Sequence, residues 1–139
     1  MKKEKFETYR FVKGEDLNHH KTLFAGRAAE WFVETGLMAT SFYIPAKNIV
    51  MVNINQMSFY KPIELGDIIQ CTSLVVYAGR TSFIVYVKFE VEEEMRVEGF
   101  ISYVNVDENG KSKPHNIELD LETDEIKKLN ERAKKFLDK

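Results

Sequence analysis

The chain has 139 residues, 44% hydrophobic and 30% charged, which leaves room for one domain with one core and excludes a disordered tail protein. Twenty basic residues against 22 acidic ones give a formal net charge of −2, so no nucleic-acid partner is expected and any anionic ligand must be met by a local site. The opening MKKEKFETYRF lacks the apolar stretch of a signal peptide, and no apolar run approaches the ~20 residues that span a bilayer. The lone Cys71 offers neither a disulfide nor a metal cluster and reads as a small buried thiol. A cytoplasmic chain without a membrane partner, metal or redox cofactor is the expectation.

Along the chain, helical periodicity comes first over Leu23 to Met38, where Phe24, Ala28, Trp31, Phe32 and Leu37 are apolar and Ala25, Gly26, Ala28, Ala29 and Gly36 make one side thin. Such a helix wants close burial; Thr22 is the expected N-cap, and Pro45 closes the segment. From Asn48 to Val106 the chain reads as strand: Ile49 to Tyr60, Ile68 to Tyr77, Thr81 to Val91 and Glu98 to Val106. Turns fall at Leu65-Gly66-Asp67, at Ala78-Gly79-Arg80, at Glu92-Glu93-Glu94 and at Asp107–Gly110. The odd positions Phe83, Val85, Val87, Phe89 and Val91 line one face. Residues 123–139 read as a polar surface helix with a narrow stripe of Ile126, Leu129, Ala133, Phe136 and Leu137. One buried helix, at least four long antiparallel strands and a terminal surface helix form an α+β layer architecture in a single domain, 1–139. Its long strand edges predict side-by-side association of copies.

Ordered motifs over roughly residues 16 to 113 carry a resemblance. Asp16-Leu-Asn18 is followed six residues after the Asn by Phe24-Ala25-Gly26. Phe59-Tyr-Lys-Pro62 precedes Gly66-Asp67, Gly79-Arg80-Thr81-Ser82 sits at a strand turn, and Val104 to Gly110 ends the last strand. In that order the set resembles the YciA/BACH branch of hotdog-fold acyl-coenzyme A thioesterases. The resemblance implies a curved antiparallel sheet wrapped around a central helix, and hydrolysis of acyl-CoA thioesters. It also implies coenzyme A only as part of the substrate, no further cofactor, and a homodimer or trimer of dimers. Asn18 would then position the reacting groups, while Ala25 and Gly26 let the thioester approach the free N–H groups at the helix N-terminus. Gly79, Arg80, Thr81 and Ser82 would meet the coenzyme A pyrophosphate.

The family's helix carboxylate falls fifteen residues after the Asn, where this chain has Val33. Glu30 and Glu34 flank it on one helix face. At ~100° per residue Glu30 lies about 60° from position 33 and Glu34 about 100°. Glu30, desolvated beside an acyl tunnel, is the first choice of general base; a salt-bridged strip with Arg27 is the structural alternative. His19 and His20 read as solvated loop histidines. Two rival functions stand beside hydrolysis: a non-hydrolytic acyl-CoA-binding protein, which Val33 favours, and an acyl-carrier-protein thioesterase, which Trp31-Phe32-Val33-Glu34 keeps open. The Asn18 loop and the Gly79 turn fall at opposite ends of a small sheet, so sites shared between subunits are expected.

Overall fold

Apolar residues two apart dominate the middle of the chain, and on a strand such residues share one face. The computed structural model describes residues 5–138 and turns that period into five strands. These are β1 (Phe6–Phe11), β2 (Ile49–Phe59), β3 (Ile68–Ala78), β4 (Ser82–Val91) and β5 (Glu94–Asn105). They form one antiparallel sheet in the order β1-β3-β4-β5-β2. Odd-numbered Ile69, Cys71, Val85, Phe89, Ile101 and Tyr103 bury against Ala28, Trp31 and Phe32 of α1 (Ala25–Thr40). Even-numbered Leu74, Val76, Ile84, Tyr86 and Phe100 bury against Ile126, Leu129 and Ala133 of α2 (Asp124–Lys134). This is the hotdog arrangement that the motifs imply, with a helix on each face of the sheet.

Polar contacts fix both helices. The Tyr103 hydroxyl donates to the Val33 carbonyl at 2.7 Å, and Ser73 Oγ donates to the Thr35 carbonyl at 2.6 Å. On the opposite face Glu98 accepts from the hydroxyls of Tyr60 and Tyr86, each at 2.7 Å, and from both terminal nitrogens of Arg132. Burial pushes the Glu98 carboxyl up, but Arg132 and the two hydroxyls outweigh it and hold it below its ordinary range. Cys71 is fully buried, and burial drives its thiol up to about 12.

Several boundaries differ from the sequence reading. Strand β1 was not expected, because Phe-Glu-Thr-Tyr-Arg-Phe lacks apolar alternation; Phe6 packs on the core while Tyr9 and Phe11 face outward. Helix α1 starts at Ala25 with Phe24 as N-cap, not Thr22, and runs to Thr40. Thr22 instead bridges Glu64 and hydrogen-bonds Asn18. The β4–β5 hairpin turns on Glu92 and Glu93 alone, both at positive φ (51° and 66°), so β5 begins at Glu94 rather than Glu98. The terminal helix is Asp124–Lys134, capped by Thr123 Oγ1 on the Ile126 N–H (3.1 Å), with a short 3-10 turn through Asp138.

Strand β2 forms one edge of the sheet and leaves Val50, Met51 and Val52 exposed. Two register shifts interrupt its pairing with β5, between Met51 and Asn53 and between Ile54 and Gln56. At Gly99 the β2 backbone comes so close that a Cβ would lie 1.8 Å from the Gln56 carbonyl oxygen.

Candidate active site

The start of α1 is built by a knitted loop. Leu17 bridges Leu23, Thr22 bridges Glu64, and the Leu23 N–H donates to the Ile63 carbonyl at 2.7 Å. Asn18 closes this loop as an Asx-type turn: its Oδ1 accepts the N–H of His20 (2.8 Å) and of Thr22 (3.1 Å). Its Nδ2 donates to Thr22 Oγ1 at 3.1 Å, which leaves one amide hydrogen without a partner among the described residues. Asn18, Thr22 and Ala25 face Tyr60, Lys61 and Pro62 across a cleft of about 360 Å³.

No side chain caps α1 and its first turn carries no acidic residue. Among the described residues no side chain takes up the first N–H groups; the buried Asp16 carboxylate pairs instead with Arg27 of the first turn at 3.5 Å. Ala25 lines the cleft. Gly26 does not: the space a Cβ would take there is filled by the ring of Phe24, 2.5 Å away, so its small size accommodates an aromatic neighbour. The far wall is held by Arg96, whose Nη1 donates to the Pro62 carbonyl at 2.6 Å, and by an ion pair between Lys61 and Glu94. Lys61 and Tyr60 belong to the Phe-Tyr-Lys-Pro motif, yet nothing in the sequence assigned them to the cleft; only the fold brings that strand end to Asn18.

The helix carboxylates stand apart from this cleft. Glu30 pairs with Arg27 (3.7 Å) and its side chain is 61% exposed. Glu34 pairs with Arg10 at 2.5 Å and is 59% exposed, while Arg10 also lies over the Trp31 ring. Val33 packs its side chain against the core. Within one copy, then, neither Glu30 nor Glu34 is desolvated beside an apolar tunnel.

The Gly79–Ser82 turn forms the other end of the sheet. The Gly79 N–H donates to the Ser82 carbonyl at 2.9 Å, and Arg80 is exposed with no ion-pair partner among the described residues. Gly79 and Arg80 line an open groove of about 640 Å³ together with Pro114, His115 and Glu118. The sequence reading passed over His115, since a lone loop histidine carries no motif. Strand β3 separates this turn from the Asn18 end: its eleven residues span roughly 33 Å. One copy cannot bring Asn18 and Arg80 to the same reacting centre. Among the described residues no three His, Cys, Asp or Glu side chains are grouped to hold a metal.

A sheet with a central helix on one face and a cleft at that helix's start defines a hotdog-fold protein. Residues 20–98 match the family described as the Thioesterase superfamily, and the chain belongs to it. It is 28% identical over 105 residues to an uncharacterized acyl-CoA thioester hydrolase, YkhA, of Bacillus subtilis, an alignment that covers 71% of this chain and 60% of that relative's length. An acyl-CoA hydrolase from Staphylococcus aureus, solved with butyryl coenzyme A, coenzyme A and coenzyme A disulfide, superposes with a TM-score of 0.87 at 27% identity. That superposition covers 96% of this chain and 82% of the other. An apo-hexameric acyl-CoA thioesterase superposes at 0.88 and 27% identity, over 96% and 88% of the two chains. The S. aureus hydrolase has also been solved with an asparagine and with an aspartate replaced by alanine; those positions are fifteen residues apart, the spacing from Asn18 to Val33.

Proposed function

We propose that this protein hydrolyses acyl-CoA thioesters to fatty acid and coenzyme A, at sites shared by two copies of the chain. The observation that carries the proposal is the cleft that joins Asn18, the uncapped start of α1 and the end of β2 in a thioesterase-superfamily chain. The thioester carbonyl sits there with its oxygen toward the first-turn N–H groups and the free Asn18 amide hydrogen, which stabilise the charge that develops on attack. Water adds to the acyl carbon, the C–S bond breaks, and the proton lost by water returns to the thiolate. Glu30 is the first candidate to take that proton, since it is nearer in angle to position 33 and one turn closer to the helix start; Glu34 is the second.

Strand registers support the shared site. Ile49 pairs with Asn105 and Ser82 with Val104, so the Ile49 end of β2 lies at the Arg80 end of the sheet. Phe59 lies at the other end, beside the Asn18 cleft. Antiparallel pairing of two β2 edges about a twofold axis covers Val50, Met51 and Val52, and brings the Arg80 end of one copy alongside the Asn18 end of the other. Dimers of this kind, alone or as a trimer of dimers in the cytoplasm, are the proposed working form.

A non-hydrolytic acyl-CoA-binding protein is the second reading, favoured by Val33 and by the ion pairs that occupy Glu30 and Glu34. Free-thiol release across short, medium and long acyl-CoAs decides between them. Turnover on at least one chain length supports hydrolysis; tight binding with no thiol released at any length overturns it.

A further inference from the structure

Four contacts converge on His115, a residue in the irregular chain between β5 and α2. Its backbone N–H donates to the Arg80 carbonyl at 3.2 Å, and its Nε2 lies 3.0 Å from the Ser82 carbonyl oxygen. Its Nδ1 accepts the Ile117 N–H at 3.0 Å, and its ring stacks on Phe83 with centroids 4.1 Å apart and 15° between planes. A carbonyl can only accept and an amide N–H can only donate. The geometry fits Nε2 as the donor to the Ser82 carbonyl and Nδ1 as the acceptor from the Ile117 N–H. Asn105 ties the same segment from beneath: its N–H donates to the Thr81 carbonyl (2.8 Å) and its Nδ2 to the Lys113 carbonyl (3.0 Å).

We propose that His115 is a positioning residue for binding the phosphates of coenzyme A: by fixing the carbonyls on both sides of Thr81, it aims the exposed Arg80 at the ligand. This rests on the assignment of the Gly79–Ser82 turn to those phosphates. An arginine on a loose turn loses conformational entropy each time it engages a ligand; an arginine on a turn clamped at Arg80 and Ser82 loses less. Phe83 is buried beneath the ring, so the clamp is anchored to the core rather than to solvent. His115 touches no reacting atom, and its effect runs through Arg80 alone.

The test compares KM and kcat for one acyl group carried by coenzyme A and by pantetheine, which has no nucleotide, in the full chain. His115→Phe keeps the stacking on Phe83 and removes both side-chain hydrogen bonds; His115→Gln restores a donor toward Ser82. Arg80→Ala should raise KM for acyl-CoA about tenfold, and His115→Phe, which keeps the main-chain bond to the Arg80 carbonyl, by a smaller factor of about threefold; both should leave kcat and the pantetheine substrate unchanged, with His115→Gln closer to wild type. If His115→Phe does not fold, His115→Leu, which also removes both side-chain hydrogen bonds, carries the same comparison against Arg80→Ala. A raised KM in Arg80→Ala with wild-type behaviour in the folded His115 variant overturns the positioning role and leaves the phosphate assignment standing. Equal losses on both substrates in the His115 variant overturn it in favour of a general structural role. Wild-type KM in Arg80→Ala overturns the phosphate assignment and this inference with it.

Discussion

Among the described residues, the polar side chains that line the Asn18 cleft are largely satisfied within the chain, whereas the Arg80 guanidinium at the other end of the sheet has no ion-pair partner. Asn18 spends its carbonyl oxygen on two backbone N–H groups, Lys61 is held by Glu94, and Arg96 is held by the Pro62 carbonyl. What remains unfilled there is one amide hydrogen and the first turn of α1. At the other end Arg80 is clamped through its backbone, and its guanidinium has no partner among the described residues. The contrast separates two tasks. Short fixed donors suit a charge that appears only during reaction, and a free guanidinium suits a ligand that arrives already charged.

Substitutions at the first end should therefore act on turnover. Asn18→Asp keeps the oxygen that caps His20 and Thr22 but removes the amide donors, and should lower kcat by ~100-fold or more while stability holds. Asn18→Ala should match that loss and also melt at lower temperature, because the turn loses its cap; equal melting of the two variants would break the distinction. Among the carboxylates, Glu30→Gln should lower kcat by ~100-fold, as general-base loss does, and Glu34→Gln by less. Val33→Asp should raise the rate. Steady-state kinetics on the three variants checks the order, and a larger loss in Glu34→Gln moves the base to that residue.

At the charged end the expected effect is smaller and of another kind. Arg80→Ala should weaken free coenzyme A by roughly 1–3 kcal/mol, measured by calorimetry. The loss should shrink as salt rises, since the contact is exposed. A difference independent of salt would argue against a charge contact.

The smallest effect should come from the Glu92-Glu93 turn. Two non-glycine residues at positive φ strain this two-residue hairpin. Replacing them with Asn-Gly should stabilise the fold by about 1 kcal/mol in chemical denaturation. Kinetics should not change, because the turn lies outside both ends' ligand contacts; altered turnover would show that hairpin strain reaches the cleft through Glu94 and Lys61.

The alternation of β4, the buried faces of α1 and the apolar stripe of α2 were legible because hydrophobic period maps directly onto burial. Strand β1 was not, since its outward side carries Tyr9 and Phe11 while its inward side includes Thr8 and Arg10, the reverse of the usual signal. The turn at Glu92-Glu93 was legible, but its two-residue length and the start of β5 at Glu94 were not, because positive φ without glycine leaves no composition mark. In the candidate site, Asn18 and Arg80 were legible as motif residues. Lys61 and His115 were not, because each gains its place from a contact more than thirty residues away in sequence.

The central claim is a site composed of Asn18 from one copy and Arg80 from another, and mixed oligomers test it most directly. Asn18→Ala and Arg80→Ala chains, each impaired alone, are unfolded together, refolded and assayed for acyl-CoA hydrolysis at substrate levels below KM. If sites are shared, random pairing makes about half of the dimers mixed, each with one intact site, and activity should recover to about a quarter of wild type. If each site lies within one chain, no intact site can form, and the mixture will show only the average of the two variants.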